Sequence, residues 1–162
     1  AKGLGLALNK PIIPVPTVDA LSFNLWGYEG IICPMMDARR NQVYSGLYEF
    51  RDGRHFVIKE QSPIAVEEMC DQINRLGRKV CLLGDGVPVY EDLIRELLTV
   101  PFEFAPAHMN RQRAGALAVL ARSLYEEGRI QTASEHKPDY LRLSQAERER
   151  KENAEDKGND GG

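Results

Sequence analysis

A chain of 162 residues, 43% of them hydrophobic, is long enough to bury one core, or one and a fraction. Its 21 Lys and Arg stand against 24 Asp and Glu, a formal net charge of -3, and without a long basic run it lacks the footprint of a dedicated nucleic-acid binder. No stretch reaches the ~18 residues of apolar sequence that a bilayer span needs, and no signal core opens the chain, so a cytoplasmic globular protein is expected.

The three cysteines, Cys33, Cys70 and Cys81, form no CxxC pair and sit in apolar stretches, where a reduced thiol behaves as a small hydrophobe. That pattern argues for a reducing compartment and against a zinc site. The chain opens at once on a helix-like run, AKGLGLALN, and is read as truncated at its N-terminus.

In chain order, Leu4, Ala7 and Leu8 recur at helical spacing up to Asn9, and PIIPV (Pro11 to Val15) reads as a short buried strand. Thr17 can cap a second helix carrying Val18, Leu21 and Leu25, which Gly27 and Gly30 break. Three strand-like runs follow, Ile31 to Ala38, Gln42 to Phe50 and His55 to Glu60, separated by Arg39-Arg40-Asn41 and Asp52-Gly53, the pattern of an antiparallel meander.

Ser62 as N-cap and Pro63 at the first helical position predict a helix with Val66, Met69, Cys70, Ile73 and Leu76 on one face, ended by Gly77. The apolar run Lys79 to Gly86 predicts a strand buried on both faces, followed by a helix over 88–99 and hence parallel pairing. A strand at Phe102 to Ala105 precedes a last helix over 111–127 with a stripe of Ala114, Leu117, Ala118, Ala121, Leu124 and Tyr125. From Ser144 onward the chain is charged and lacks large apolar residues, the composition of a disordered tail.

From residue 30 the order is βββαβαβα, an α/β unit with a mixed sheet that resembles the ribonuclease H-like unit duplicated in actin-like ATPases. The expected division is a remnant of a first copy over 1–28, the unit itself over 29–143, and the tail over 144–162.

Candidate chemistry is sparse. In MDARRNQVY, Asp37 could ligate a metal or phosphate, but an acid that bonds turn amides or pairs with Arg39 or Arg40 is the favoured reading. With Asn41 and Tyr44 these residues are assigned a structural role, because a two-metal centre needs more acids than Asp37 and Asp85. Gly84, Asp85 and Gly86 follow a strand and precede a helix, yet lack a phosphate-loop spacing, and are weak nucleotide candidates. His55, His108 and His136 fit no ligand spacing and are expected in loops or at the surface. No Ser or Cys has an identifiable base, so no catalytic residue is assigned. PDYLR (Pro138 to Arg142) offers Tyr140, Leu141 and Arg142 as anchors for a partner or for its own domain.

Taken together, AKGLGLALNKPIIPVPTVDAL, CPMMDARRNQVY, LLGDG and PDYLR give the chain a resemblance to the TsaB (YeaZ) family, an actin-like relative of the glycoprotease-like TsaD proteins. The resemblance implies a pseudo-enzyme without metal ligands, pairing with TsaD and with the ATPase TsaE in threonylcarbamoyladenosine modification of tRNA. It implies ATP and metal only in the partner subunits, no cofactor in this chain, tRNA reached only through the complex, and a homodimer as a further possibility. Leu4, Ala7, Leu8, Pro138, Tyr140, Leu141 and Arg142 are the interface candidates. The rival readings are a protease acting on its partner and a nucleotide-binding actin-like module.

Overall fold

The structure, a computed structural model, describes residues 1–137. Two helices, α1 (Lys2–Leu8) and α2 (Thr17–Ser22), lead into the strands β1 (Ile31–Arg39), β2 (Gln42–Arg51) and β3 (Arg54–Ala65). Then α3 (Val66–Leu76), β4 (Val80–Leu83), α4 (Val87–Leu97), β5 (Phe102–Phe104) and α5 (Ala114–Glu126) alternate. One mixed sheet holds all five strands in the order β3-β2-β1-β4-β5. The meander β1-β2-β3 is antiparallel, whereas β4 pairs parallel with both β1 and β5. This is the α/β, ribonuclease H-like arrangement that the order of elements implies.

Residues 31–35 of β1 and all of β4 are buried, as continuous apolar runs must be when helices cover both faces of a sheet. Ile31, Cys33, Met35, Val80 and Leu82 face α3 and α4, against Met69, Cys70, Ile73 and Ile94. Ile32, Tyr48, Cys81 and Leu83 face α2, against Val18 and Leu21. Outside α2, Leu120 and Leu124 of α5 pack on Ala20 and Phe23. All three cysteines are free and buried, and burial pushes the Cys33 thiol up to about 12.

Several boundaries differ from expectation. PIIPV forms only an isolated bridge, Ile12 with Gln131, because its prolines have no N–H to give a ladder. Thr17 caps nothing: Pro16 occupies the N-cap position, and no side chain bonds there. Ser62 and Pro63 do not start α3 but continue β3, opposite Ser45 and Tyr44. An edge strand tolerates a proline, so β3 runs on and α3 begins at Val66, with Ala65 as its N-cap. Gly77 ends α3 in the left-handed conformation as the sequence indicates.

The stripe on α5 is also misplaced. Its buried residues are Leu120 and Leu124, while Leu117 and Tyr125 are exposed. The apolar arc of this helix is wider than the surface available to cover it, so one half lies over α2 and the other half faces out.

Candidate functional site

In open α/β sheets, the carboxyl ends of adjacent parallel strands are where ligands gather. Here those ends belong to β1 and β4, and they bring together residues that the sequence keeps far apart. Asp37 Oδ1 accepts hydrogen bonds from the Arg39 amide (2.8 Å) and the Tyr90 hydroxyl (2.9 Å). The Asp37 amide donates to Asp85 Oδ1 at 3.1 Å, and Asp85 Oδ2 lies 3.7 Å from Arg111 Nη1.

The Gly84-Asp85-Gly86 turn is equally engaged. The Gly84 amide donates to Asn110 Oδ1 at 3.0 Å, and the Gly86 amide to the Met35 carbonyl at 3.1 Å. Gly84 sits at φ +118°, and a Cβ there would meet the Met35 carbonyl, so both torsion and space require glycine. With Val87, Val89 and Tyr90 donating back to Gly84 and Gly86, the start of α4 directs few free amides outward.

Arg39, Arg40 and Asn41 turn the chain from β1 into β2 with three consecutive left-handed residues, φ 64°, 55° and 57°. The Asn41 carbonyl accepts from the Val66 amide at 3.1 Å, which fastens the turn to the start of α3. Tyr44 lies half-buried on β2, opposite Met36 and Pro63. Asp37 thus bonds a turn amide as the structural reading requires, and both arginine side chains of the turn are left exposed. Among the described residues no group of three or more His, Cys, Asp or Glu could hold a metal ion.

A sequence model of the family described as "TsaD: tRNA N6-adenosine threonylcarbamoyltransferase" matches residues 1–150. The chain belongs to this family. The tRNA threonylcarbamoyladenosine biosynthesis protein TsaB of Bacillus subtilis (strain 168) is 30% identical over 149 residues, 91% of this chain and 62% of that protein. YeaZ from Pseudomonas aeruginosa superposes with a TM-score of 0.67 at 22% identity, over 86% of this chain and 64% of that one. A further solved structure, an uncharacterized protein with similarity to peptidase YEAZ from Pseudomonas aeruginosa, gives 0.66 at 20% identity, over 87% and 63%. These matches bear out the TsaB (YeaZ) resemblance of the chain as a whole, and the chain spans 62–64% of the length of these relatives.

Within this chain, one constellation has no sequence signature. Ser22 Oγ lies 2.8 Å from His55 Nε2, across 33 residues of sequence, the spacing of a nucleophile and its base. Ser22 is fully buried, however, and its hydroxyl donates to the Asp19 carbonyl at 2.6 Å, so His55 must be the donor between them. No substrate carbonyl can reach that oxygen, and the pair works as a clasp between α2 and β3. The Tyr48 hydroxyl adds a bond to Asp19 Oδ1 at 2.6 Å, and the Val18 amide one to Gln61 Oε1 at 3.3 Å.

The His55 ring stacks on Tyr48 at 5.2 Å and packs against Phe23 and Phe50. Burial in this cage pulls its pKa down to about 4, so His55 is half-buried and neutral rather than a surface histidine. Burial also raises the Asp19 carboxyl, more than the Tyr48 hydrogen bond lowers it. On the opposite face of β2, Glu49 is buried with Arg78 at 2.6 Å and Arg51 beside it. Its burial would raise the carboxyl, but the two arginines outweigh that and hold it below the usual range.

Of the interface candidates, Leu4, Ala7 and Leu8 lie exposed on α1, where Leu4 is 68% and Leu8 63% accessible. Gly5 faces inward against Ala133, and Lys2 Nζ reaches the carbonyls of Ser134 and His136. Pro138, Tyr140, Leu141, Arg142 and the tail over 144–162 lie outside the described residues. No helix among the described residues is long and apolar enough to cross a membrane.

Proposed function

We propose that this chain is a non-catalytic scaffold in threonylcarbamoyladenosine modification of tRNA, acting in a cytoplasmic assembly with TsaD and TsaE homologues. The observation that carries this reading is the state of Asp37 and Asp85. Both carboxylates are turned onto the chain's own amides and Tyr90, and no third acid completes a metal site among the described residues. The family membership supplies the pathway, and B. subtilis TsaB is named for threonylcarbamoyladenosine biosynthesis.

In this reading ATP and metal belong to the partner subunits, and this chain holds neither. The exposed leucines of α1 favour a partner, since Leu4 and Leu8 lie one turn apart on the same side of a helix too short to be stable alone. The test is modification of tRNA in cells deprived of this protein, scored by nucleoside mass spectrometry, together with co-elution with the TsaD homologue. Normal modification without the protein, or no co-elution, ends the scaffold reading. Calorimetry with ATP and magnesium addresses the rival nucleotide-binding reading, which predicts saturable binding by the chain alone.

A further inference from the structure

Two stretches of the chain are free of acids. Between Ala38 and Tyr48 the only charges are Arg39 and Arg40, and between Ala105 and Tyr125 they are Arg111, Arg113 and Arg122, with His108 nearby. The fold brings the first pair and the 111–113 segment to the same end of the sheet. Gln112 Nε2 donates to Met36 Sδ at 3.5 Å, so residues 111–113 lie against the end of β1. From Arg111 a continuous path leads through Asp85 and Asp37 to the backbone of Arg39.

We propose that Arg39, Arg40, Arg111 and Arg113 form one cationic ledge that takes the phosphate backbone of a folded RNA. The left-handed turn, tied by Asp37 and by the Val66 amide, holds Arg39 and Arg40 at the surface, where neither forms an ion pair among the described residues. Arg111 is 78% exposed, and the one bond of Arg113 among the described residues is to the His108 carbonyl. Among the described residues, Asp85 and Asp37 border the ledge through Arg111 and the Arg39 amide, and Glu67 lies close enough to Tyr90 to act on it electrostatically. Four guanidinium groups therefore exceed the carboxylates beneath them.

An open row of exposed arginines, with the nearby loop amides occupied, suits a distributed polyanion better than one enclosed phosphate group. Each guanidinium that neutralises a phosphate releases a counterion, which gives weak, salt-sensitive, sequence-independent binding. The choice of RNA rests on the pathway reading above. It goes beyond that reading by giving this chain a direct contact with RNA, despite its net charge of -3.

The experiment is fluorescence anisotropy of a labelled, unmodified tRNA transcript with the purified chain from low to moderate salt. It compares wild type with Arg39→Gln/Arg40→Gln, Arg111→Gln/Arg113→Gln and the equal-charge control Arg75→Gln/Arg95→Gln. Each ledge double is expected to weaken binding about tenfold at low salt and to flatten the log-affinity against log-salt slope by about 1.5, the control staying within about twofold. Absent binding by wild type, unaltered binding by the ledge doubles, or an equal loss in the control overturns the proposal. Ledge doubles that keep RNA affinity but lose the TsaD homologue assign the surface to a protein, and also overturn it. The modification assay in deprived cells separates this from the scaffold reading, because loss of that reading leaves the anisotropy result standing.

Discussion

The two faces of the sheet are built differently. Under α3 and α4 the core between helices and sheet is apolar, with Ile31, Val80, Leu82, Ile73 and Ile94 all fully buried, and its polar groups, Ser45 and Glu49, sit out on β2. Under α2 the core is laced with polar groups: Ser22, His55, Tyr48 and Asp19 bond to one another, and an aromatic cage surrounds the imidazole. An apolar core is held by area and packing density, so its stability depends little on pH until Glu49, whose pKa the arginines lower, is protonated at more acid pH. A laced face is held partly by satisfied polar groups, which become a cost once one of them changes protonation state.

Truncation in the apolar core gives the largest expected effect. Ile94→Ala removes a fully buried side chain from between α4 and the sheet, and should cost about 3–4 kcal/mol in urea unfolding, equally at pH 5 and pH 7. Leu124→Ala, in the smaller cluster with Ala20, Phe23 and Leu120, should cost about 2–3 kcal/mol, since α5 can settle toward α2. If Leu124→Ala proves the costlier, the ranking of the α3/α4 core above the outer layer between α2 and α5 is reversed.

Acid should separate the faces further. The folded pKa of His55, about 4, lies below the usual 6.5, so the native state favours the neutral ring. Its contribution is therefore complete above pH 6.5 and declines as pH falls toward 4, by about 1–2 kcal/mol after solvent screening is allowed for. Asp19 works in the opposite sense, because burial raises its carboxyl and its protonation favours the folded state. A His55→Phe variant isolates the imidazole: it loses the Ser22 bond at every pH, but its melting temperature should fall less than that of wild type between pH 7 and pH 5. An unchanged pH dependence would remove His55 as the cause.

What could be read in advance follows the same division. The five strands of the sheet, their order along the chain and the parallel pairing were legible because continuous apolar runs and Asp52-Gly53 or Gly77 signals state local geometry directly, whereas the order across the sheet and the failure of PIIPV as a strand were not. The extension of β3 through Ser62 and Pro63 was not, because whether a strand lies at an edge is a property of the sheet and not of the segment. At the candidate site, the bond from Asp37 to a turn amide is a local one that its neighbours in sequence suggest. Its links to Tyr90 and Asp85, and those of Ser22 to His55, join residues 53, 48 and 33 positions apart, for which no spacing rule exists.

The outward half of α5 is the smallest and most discriminating case. Leu117 is 43% exposed while Leu120, one turn round the same helix, is 6% exposed, although both belong to one broad apolar arc. Because Leu117 buries little against this chain, Leu117→Gln should shift stability by no more than about 0.5 kcal/mol, the range of an ordinary surface substitution. Leu120→Gln should cost several times more, since it places an amide without a partner between α5 and α2. The pair is measured by thermal unfolding side by side. A large loss at Leu117 would mean that α5 sits rotated, with the stripe of Ala114, Leu117, Ala118 and Tyr125 turned toward the core after all.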